Sequence, residues 1–465
     1  MNHTAHGYWL EEAGERPSLP AAEGELSCDV VVVGGGYTGM WAAWELSQLE
    51  PEANVILLEA DRCGHGPSGR NGGFANAMWF SAHTLRRRFG AAASRVVRAA
   101  QDAVDGIGRF CSEQGVDAWY RQSGYLQLSA APAQDGIWDE AVASCLELGE
   151  AAAVEELSAE AVRGRCQSPR FRAGVLYPGA ATVQPARLAL GLRERLSNRS
   201  GVRVFEGSPL RRLRAGNWGC LAETPTARIR AGSCVLALGP ASGAAGSPLR
   251  GRLTVTSSHI VLTEPVSDVL EEIGWTGGEC ITDARAMVHY MRTTPDGRIA
   301  FGWGGGRIAC GARLGGRTEV DPGIVERVAS DLRSFFPELQ GRRITHAWGG
   351  PIDVSPTHLP VVVPIGSDRV HGAFGYTGNG VGPSLMIGRT LAALTLDRRD
   401  EHSRLPLVEP DPRPVPTGLP SWLGGNAIRA GLVAKEAAEE RGTVAGALSR
   451  GLAAIPERIG FHVGR

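Results

Sequence analysis

Lysine is almost missing from this chain of 465 residues: Lys435 is the only one. Every other basic side chain is arginine or histidine, so lysine-centred nucleophilic or Schiff-base chemistry is excluded from all but the C-terminal region. An excess of one charge is missing too. Net charge is -1, with 21% charged residues, which argues against a nucleic acid or an anionic membrane surface as partner. No apolar run approaches the roughly 20 residues that a spanning helix needs. Residues 1–20 are polar and carry no signal-peptide pattern, so the expectation is a soluble, cytoplasmic protein. Paired cysteines are absent as well. Cys28, Cys63, Cys111, Cys145, Cys166, Cys220, Cys234, Cys280 and Cys310 are widely spaced and make no C-x-x-C, which excludes a zinc site and a disulfide framework. Buried free thiols are expected. No group of His, Asp and Glu has metal-ligand spacing.

What is present is glycine, 63 residues of it, and the first cluster is informative. The unbroken apolar run Val30, Val31, Val32, Val33 reads as a buried parallel strand. It enters G-x-G-x-x-G at Gly34, Gly36 and Gly39, with Tyr37 and Thr38 between. Residues 40–49 have helical spacing, and a second apolar run over 54–58 delivers Glu59 and Ala60 at a strand end. Gly34 allows the tight turn, Gly36 lets backbone approach a pyrophosphate, and Gly39 lets helix and strand pack closely. The helix N-terminus offers free N–H groups to the phosphates, and Glu59 can accept from a ribose. A dinucleotide cofactor is the reading.

The length favours two interleaved domains. Residues 1–25 form a polar arm with Tyr8, Trp9 and Leu10, expected on the surface. Helical spacing covers 83–113, 136–148, 186–196, 325–336 and 384–396. A second buried strand, 234–238, ends at Gly239 and returns to the first sheet. From about residue 253 the pattern becomes antiparallel, with strands over 260–262, 288–292 and 298–302 and a hairpin signal at Asp296–Gly297. A proline-rich connector, 406–420, precedes a helical C-terminal stretch over 426–452.

Several motifs together resemble one family. They are Tyr8–Trp9–Leu10, the glycine turn of Gly34 to Gly39, S-G-R-N-G-G at 68–73, Y-M-R-T-T-P-D-G-R at 290–298, W-G-G-P-I-D-V-S at 348–355 and G-Y-T-G-N-G-V at 375–381. In this order the chain resembles the FAD-dependent amine and amino-acid oxidoreductases, the family of D-amino-acid oxidase, glycine oxidase and sarcosine oxidase. Within it the likeness is greatest to the bacterial γ-glutamylputrescine oxidoreductase branch. The resemblance implies an α/β plus α+β fold: a Rossmann-like FAD-binding domain of the glutathione-reductase type, with an inserted antiparallel-sheet substrate domain. It implies FAD-binding pieces at 1–105, 175–252 and 344–400, substrate-domain pieces at 106–174 and 253–343, and a partly helical C-terminal extension at 401–465. It implies FAD contacts from Ser68, Arg70, Asn71, Gly72 and Gly73, from Gly239, and from Gly378, Asn379, Gly380 and Val381. The last turn opens a helix aimed at the pyrimidine end of the flavin, where its dipole stabilises the negative charge of reduced flavin. Sarcosine-oxidase-like relatives attach flavin to a late cysteine. This chain has none after Cys310, and Gly349 stands near that place, so FAD is expected to be non-covalent. The lysines that such relatives use for oxygen and for a substrate carboxylate also have no counterpart here.

Flavin oxidation of an amine needs an oriented, desolvated, unprotonated amine rather than elaborate acid–base machinery. Tyr290, Trp348, Trp79 and Trp303 are the candidate aromatic walls. Arg292 shares a strand face with Tyr290 and offers a planar fork to a carboxylate. His289 points to the opposite face. His65, His259 and His346 read as loop or core residues, and Asp353 as a partner for backbone N–H groups. The reaction expected is oxidation of the C–N bond of a primary or secondary amine or an amino acid to an imine, which water hydrolyses. Electrons pass to O2 or another acceptor. Oxidation of a hydroxy acid or alcohol, non-catalytic flavin binding and a nicotinamide-only dehydrogenase are the alternatives.

Overall fold

The computed structural model describes residues 2–3, 7–409 and 412–462. Residues 1 and 4–6 of the N-terminal arm, 410–411 of the proline-rich connector and 463–465 of the extension lie outside the described residues.

An eight-stranded sheet is built on Gly24–Val33, which runs parallel to Val55–Leu58 on one side and to Ala227–Leu236 on the other. Val202–Phe205 extends it beyond Val55–Leu58, and Val370–Phe374 pairs in parallel with the end of Ala227–Leu236. Each of the two long strands changes character along its length. The first halves are partly or alternately exposed, and the last four residues of each are buried without a break. That change marks where helices cover the sheet. The helices Tyr37–Leu49 and Val381–Thr395 pack so closely there that a Cβ at Gly388 would lie 2.7 Å from the Cβ of Trp41.

A nine-stranded sheet is centred on Thr254–Thr263, paired antiparallel with Ile344–Val354 and with Ile299–Trp303. His289–Thr293 follows, then Cys280–Asp283, Tyr125–Leu128, Gly174–Tyr177 and Glu155–Leu157. The sheet is antiparallel except where Cys280–Asp283 meets Tyr125–Leu128 and where Asn2–His3 joins Ile344–Val354. The helix Pro322–Phe335 backs it, with Pro322 in its first turn and the Asp321 carboxylate accepting the Ile324 N–H at 3.2 Å.

Four expectations shift. Gly174–Tyr177 and Ile344–Val354, expected (but for Gly174) in the pieces 175–252 and 344–400 beside the first sheet, both lie in this second sheet. Their registers explain it: Tyr177 opposes Tyr125, and Trp348 opposes Ile260, both in buried positions. The N-terminal arm is not a surface strap. Its helix Gly7–Ala13 inserts Trp9, fully buried, against Trp348 with ring centroids 5.9 Å apart. The C-terminal helix spans Gly418–Glu440 rather than 426–452, ending before Gly442 at φ 65, and Ala447–Ala453 is a separate helix.

All nine cysteines are free; Cys28 is half-buried, Cys310 exposed and the other seven buried. Among the described residues no helix is long and apolar enough to cross a membrane.

Candidate active site

One cavity of about 1570 Å³ is lined by residues of both sheets and both glycine turns. At one end stand Gly34, Gly36, Tyr37 and Thr38, with Glu59 and Ala60 beside them. Gly34 has φ +110, and a Cβ there would overlap the Ala237 carbonyl, so the turn needs glycine. Gly39 does not line the cavity. It lies under the turn, where a Cβ would overlap the Gly34 carbonyl. Glu59 accepts the Gly35 N–H at 2.7 Å and the Asp61 N–H at 2.9 Å. Burial nevertheless pushes its carboxyl above the ordinary value.

Two helices start at the cavity, with Gly36 and Gly380 as their N-caps, and neither glycine has a side chain to cap the first turn. At the first, Ser68 lends its Oγ to the Tyr37 N–H at 2.9 Å. Gly378, Asn379, Gly380 and Val381 line the cavity at the second. Two positive helix ends converging on one elongated cavity, with a turn that only glycine can make, fit a dinucleotide. Beneath the second turn, Asp353 accepts the Gly375 N–H at 2.5 Å. Burial raises its carboxyl to about 6, and the expected structural role holds.

The loop of Ser68, Arg70, Asn71 and Gly72 crosses the cavity between these ends. Asn71 shapes it, donating to the Pro67 and Ser68 carbonyls at 3.1 and 2.8 Å and accepting the Gly73 N–H at 2.7 Å. Arg70 is paired with Glu319 at 3.2 Å. Gly73 is packed away, since a Cβ there would overlap the Val183 carbonyl. Gly239 lines the cavity at the end of the returning strand.

Tyr290 and Trp348 form part of the wall facing this loop. A Cβ on Gly72 would lie 3.2 Å from the Tyr290 ring, and one on the cross-strand partner Gly302 would overlap that ring. Phe74 meets Tyr290 edge-on at 6.0 Å. The Tyr290 hydroxyl lies 2.6 Å from Ser258 Oγ, whose own proton goes to the Trp303 carbonyl at 2.9 Å. The phenol is therefore the donor in that pair. The Trp348 indole N–H donates to the Arg70 carbonyl at 2.8 Å, joining the second sheet to the loop.

Two candidates stand elsewhere. Arg292 shares the face of Tyr290 but lies past the wall, wholly buried, donating to the carbonyls of Gly73 and Val183 with Trp9 beside it. Its Nε and Nη1 are spent on the backbone carbonyls of Thr293, Gly73 and Val183, and it is not among the cavity-lining residues. Trp79 is a core residue that donates to Gln101 at 3.0 Å and is not among the cavity-lining residues. Trp303, His65, His259, His289 and His346 are not lining residues either. His289 faces the opposite side, as expected, held between Asp283 at 2.7 Å and Asp331 at 3.0 Å.

The C-terminal extension was not read as part of the site, yet Gly425, Ile428, Arg429 and Leu432 line the cavity. Ile428 and Leu432 are one turn apart, a short apolar stripe that could have signalled a covered face.

The chain is 27% identical over 419 residues to γ-glutamylputrescine oxidoreductase of Escherichia coli, covering 87% of this chain and 93% of that protein. It is 27% identical over 444 residues to a probable oxidoreductase of Rhizobium meliloti, covering 92% and 95%. Glycine oxidase from Geobacillus kaustophilus superposes with a TM-score of 0.65 at 17% identity, over 81% of this chain and 96% of that one. The family profile described as DAO, FAD dependent oxidoreductase, matches residues 29–394. The match starts inside the strand Gly24–Val33 and stops in the helix Val381–Thr395, so both glycine turns, the crossing loop and the Tyr290 wall fall within it. The chain thus belongs to the family of FAD dependent oxidoreductases.

Proposed function

We propose that the enzyme oxidises the C–N bond of a primary or secondary amine or an amino acid to an imine, which water then hydrolyses. When bound, FAD supplies the two-electron acceptor for the hydride of the α C–H. The Gly34–Gly36 turn and the start of Tyr37–Leu49 would hold its pyrophosphate, and Glu59 its ribose. The Gly378–Val381 turn would meet the pyrimidine edge of the flavin, where the helix end favours negative charge. No cysteine is among the lining residues, which supports a non-covalent cofactor. Nine cysteines without a disulfide support a cytoplasmic setting.

The observation that carries the amine reading is the wall of Tyr290, Ser258 and Trp348. It is aromatic and hydroxylic, and none of the three is a carboxylate or imidazole. An amine nitrogen supplies its own lone pair as the hydride leaves, so such a wall suffices if it orients the substrate and excludes water. An alcohol would need a base to take its proton. Tyr290, as a committed donor to Ser258, is not one. The names of the relatives, an oxidoreductase of γ-glutamylputrescine and a glycine oxidase, point to the same bond. Electrons leave to O2 or another acceptor.

The test is an anaerobic absorbance titration of the FAD-bound protein with amines, amino acids and hydroxy acids. Bleaching of the flavin band near roughly 450 nm by an amine class establishes the reaction. Bleaching by hydroxy acids alone overturns it. Rapid recovery in air marks O2 as acceptor.

A further inference from the structure

Arg292 is the arginine that the strand pattern offers to a substrate, and it is locked to backbone. A different arginine faces the cavity. Arg429 is carried by the helix Gly418–Glu440, beyond residues 29–394 that match the family. Its Nε and Nη2 donate to the Gly305 carbonyl at 2.9 and 2.5 Å, and Nε to that of Gly306 at 2.5 Å. Those bonds use one edge of the guanidinium and leave the two N–H groups of Nη1 and one of Nη2.

Arg429 lies 5.7 Å from the Trp303 ring centroid but has no carboxylate partner among the described residues, whereas its neighbours do. Arg307 pairs with Asp321 at 2.8 Å and Arg327 with Asp331 at 3.4 Å. Burial, with help from these two cations, holds the guanidinium of Arg429 below its ordinary pKa. Arg70, another cation of the lining, is paired with Glu319. Arg211 and Arg212 are exposed and stand beyond Ser208 and Pro209, at the Glu59 end. A half-buried, unpaired arginine is costly unless an anion completes it.

The position is also right. Gly305 and Gly306 follow Trp303, whose carbonyl holds Ser258, which in turn holds Tyr290. The Arg429 guanidinium is therefore tied to the same strand end as the Tyr290 wall. Ile308 and Ile428 lie beside it on the lining.

We propose that Arg429 is a specificity-determining residue that seats a carboxylate of the substrate, so that the extension, and not the strand bearing Tyr290, selects amines that carry an acidic group. This rests on the amine reading above. The bound carboxylate would replace water on the free edge of the guanidinium, a bidentate match that a neutral amide cannot reproduce.

Binding to the FAD-bound protein tests it. The probes are benzoate and butyrate, each against its primary amide, read by the shift of the flavin band and by calorimetry. Wild type is expected to bind each carboxylate at least tenfold more tightly than its amide. R429Q is expected to weaken carboxylates at least tenfold, about 1.4 kcal/mol, leave the amides unchanged and retain FAD. R429K is expected to fall between the two. Carboxylate affinity unchanged in R429Q overturns the proposal. So does a wild-type enzyme that binds amide and carboxylate alike, whatever the variants do. Amine oxidation fails separately, if no amine bleaches the flavin. If amines with and without a carboxylate lose kcat/KM equally in R429Q, the role of Arg429 falls while amine oxidation stands.

Discussion

Thr38 Oγ1 and the Tyr376 hydroxyl lie 2.6 Å apart. Thr38 belongs to the first glycine turn and Tyr376 precedes the second, so this bond ties together the two helix ends that face the cavity. Burial pushes the Tyr376 phenol far above its usual range, and it remains neutral at any working pH. Tyr376→Phe removes the tie without emptying the space. A loss of about 0.5–1.5 kcal/mol is expected, appearing as FAD affinity weakened up to about tenfold. Equilibrium dialysis of FAD measures it, and unchanged affinity would show that the turns are held apart from each other.

Tyr290→Phe breaks the bond to Ser258 but keeps the ring between Gly72 and Gly302. Stability should fall by only about 1 kcal/mol, with flavin reduction by the substrate slowed less than about tenfold. Gly302→Ala should do more harm, because its Cβ overlaps the Tyr290 ring and forces it toward the cavity. Overpacking of about 1–3 kcal/mol and a loss of reduction rate beyond tenfold are expected. Stopped-flow reduction compares them, and a milder Gly302→Ala than Tyr290→Phe contradicts the placement of the ring.

Arg292→Met separates a structural arginine from a substrate contact. The carbonyls of Gly73 and Val183 lose their donor in a buried place, costing about 2 kcal/mol or more. Thermal unfolding and FAD retention should suffer. The ratio of kcat/KM for acidic over neutral amines should not move, and a selective loss of acidic substrates would return Arg292 to the substrate site.

Docking of the C-terminal helix should depend on pH. Glu436 accepts the Met287 N–H at 3.0 Å, and burial raises its carboxyl to about 7, with Asp283, Arg285 and His289 around it. A raised carboxyl contributes stability that is full below its unfolded pKa and is lost as pH rises through the folded value. His289 acts in the same sense. Burial lowers its pKa, but Asp283 and Asp331 outweigh that and raise it. Asp283, depressed by Arg285 and His289 against its burial, acts oppositely and only as pH falls. Amide exchange across Gly418–Glu440, corrected for intrinsic rate, should therefore be faster at about pH 8.5 than at about pH 6. Glu436→Gln should remove most of the difference. Equal protection of the wild type at both values would refute the link.

Local signals made the cofactor end legible. A buried strand, three glycines and an acid stand within one continuous stretch, and each has a single-residue reason to be there. The substrate end was legible only in part. Strand alternation placed Tyr290 and Arg292 on one face correctly. It could not say that the cavity ends between them, because that edge is set by Gly73 and Val183, which are distant in sequence. Trp79 failed for the same reason, its indole being claimed by Gln101 in a helix packed beside it. Trp9 reads as part of a polar arm because Glu11, Glu12, Glu15 and Arg16 follow it closely; only the matching space beside Gly7 and Trp348 buries it. Arg429 was invisible because the cavity it meets is built by strands distant in sequence, the nearest being Val370–Phe374.

The wall that carries Arg429 also has a place in time. During synthesis, both glycine turns and the crossing loop leave the ribosome before the helix Gly418–Glu440 does, and domains generally begin to fold as they emerge. Until that helix docks, the cavity lacks the part of its lining that Gly425, Ile428, Arg429 and Leu432 supply, and FAD would meet a more open site than in the finished protein. A chain truncated after residue 417 should exchange its FAD far faster than the whole one.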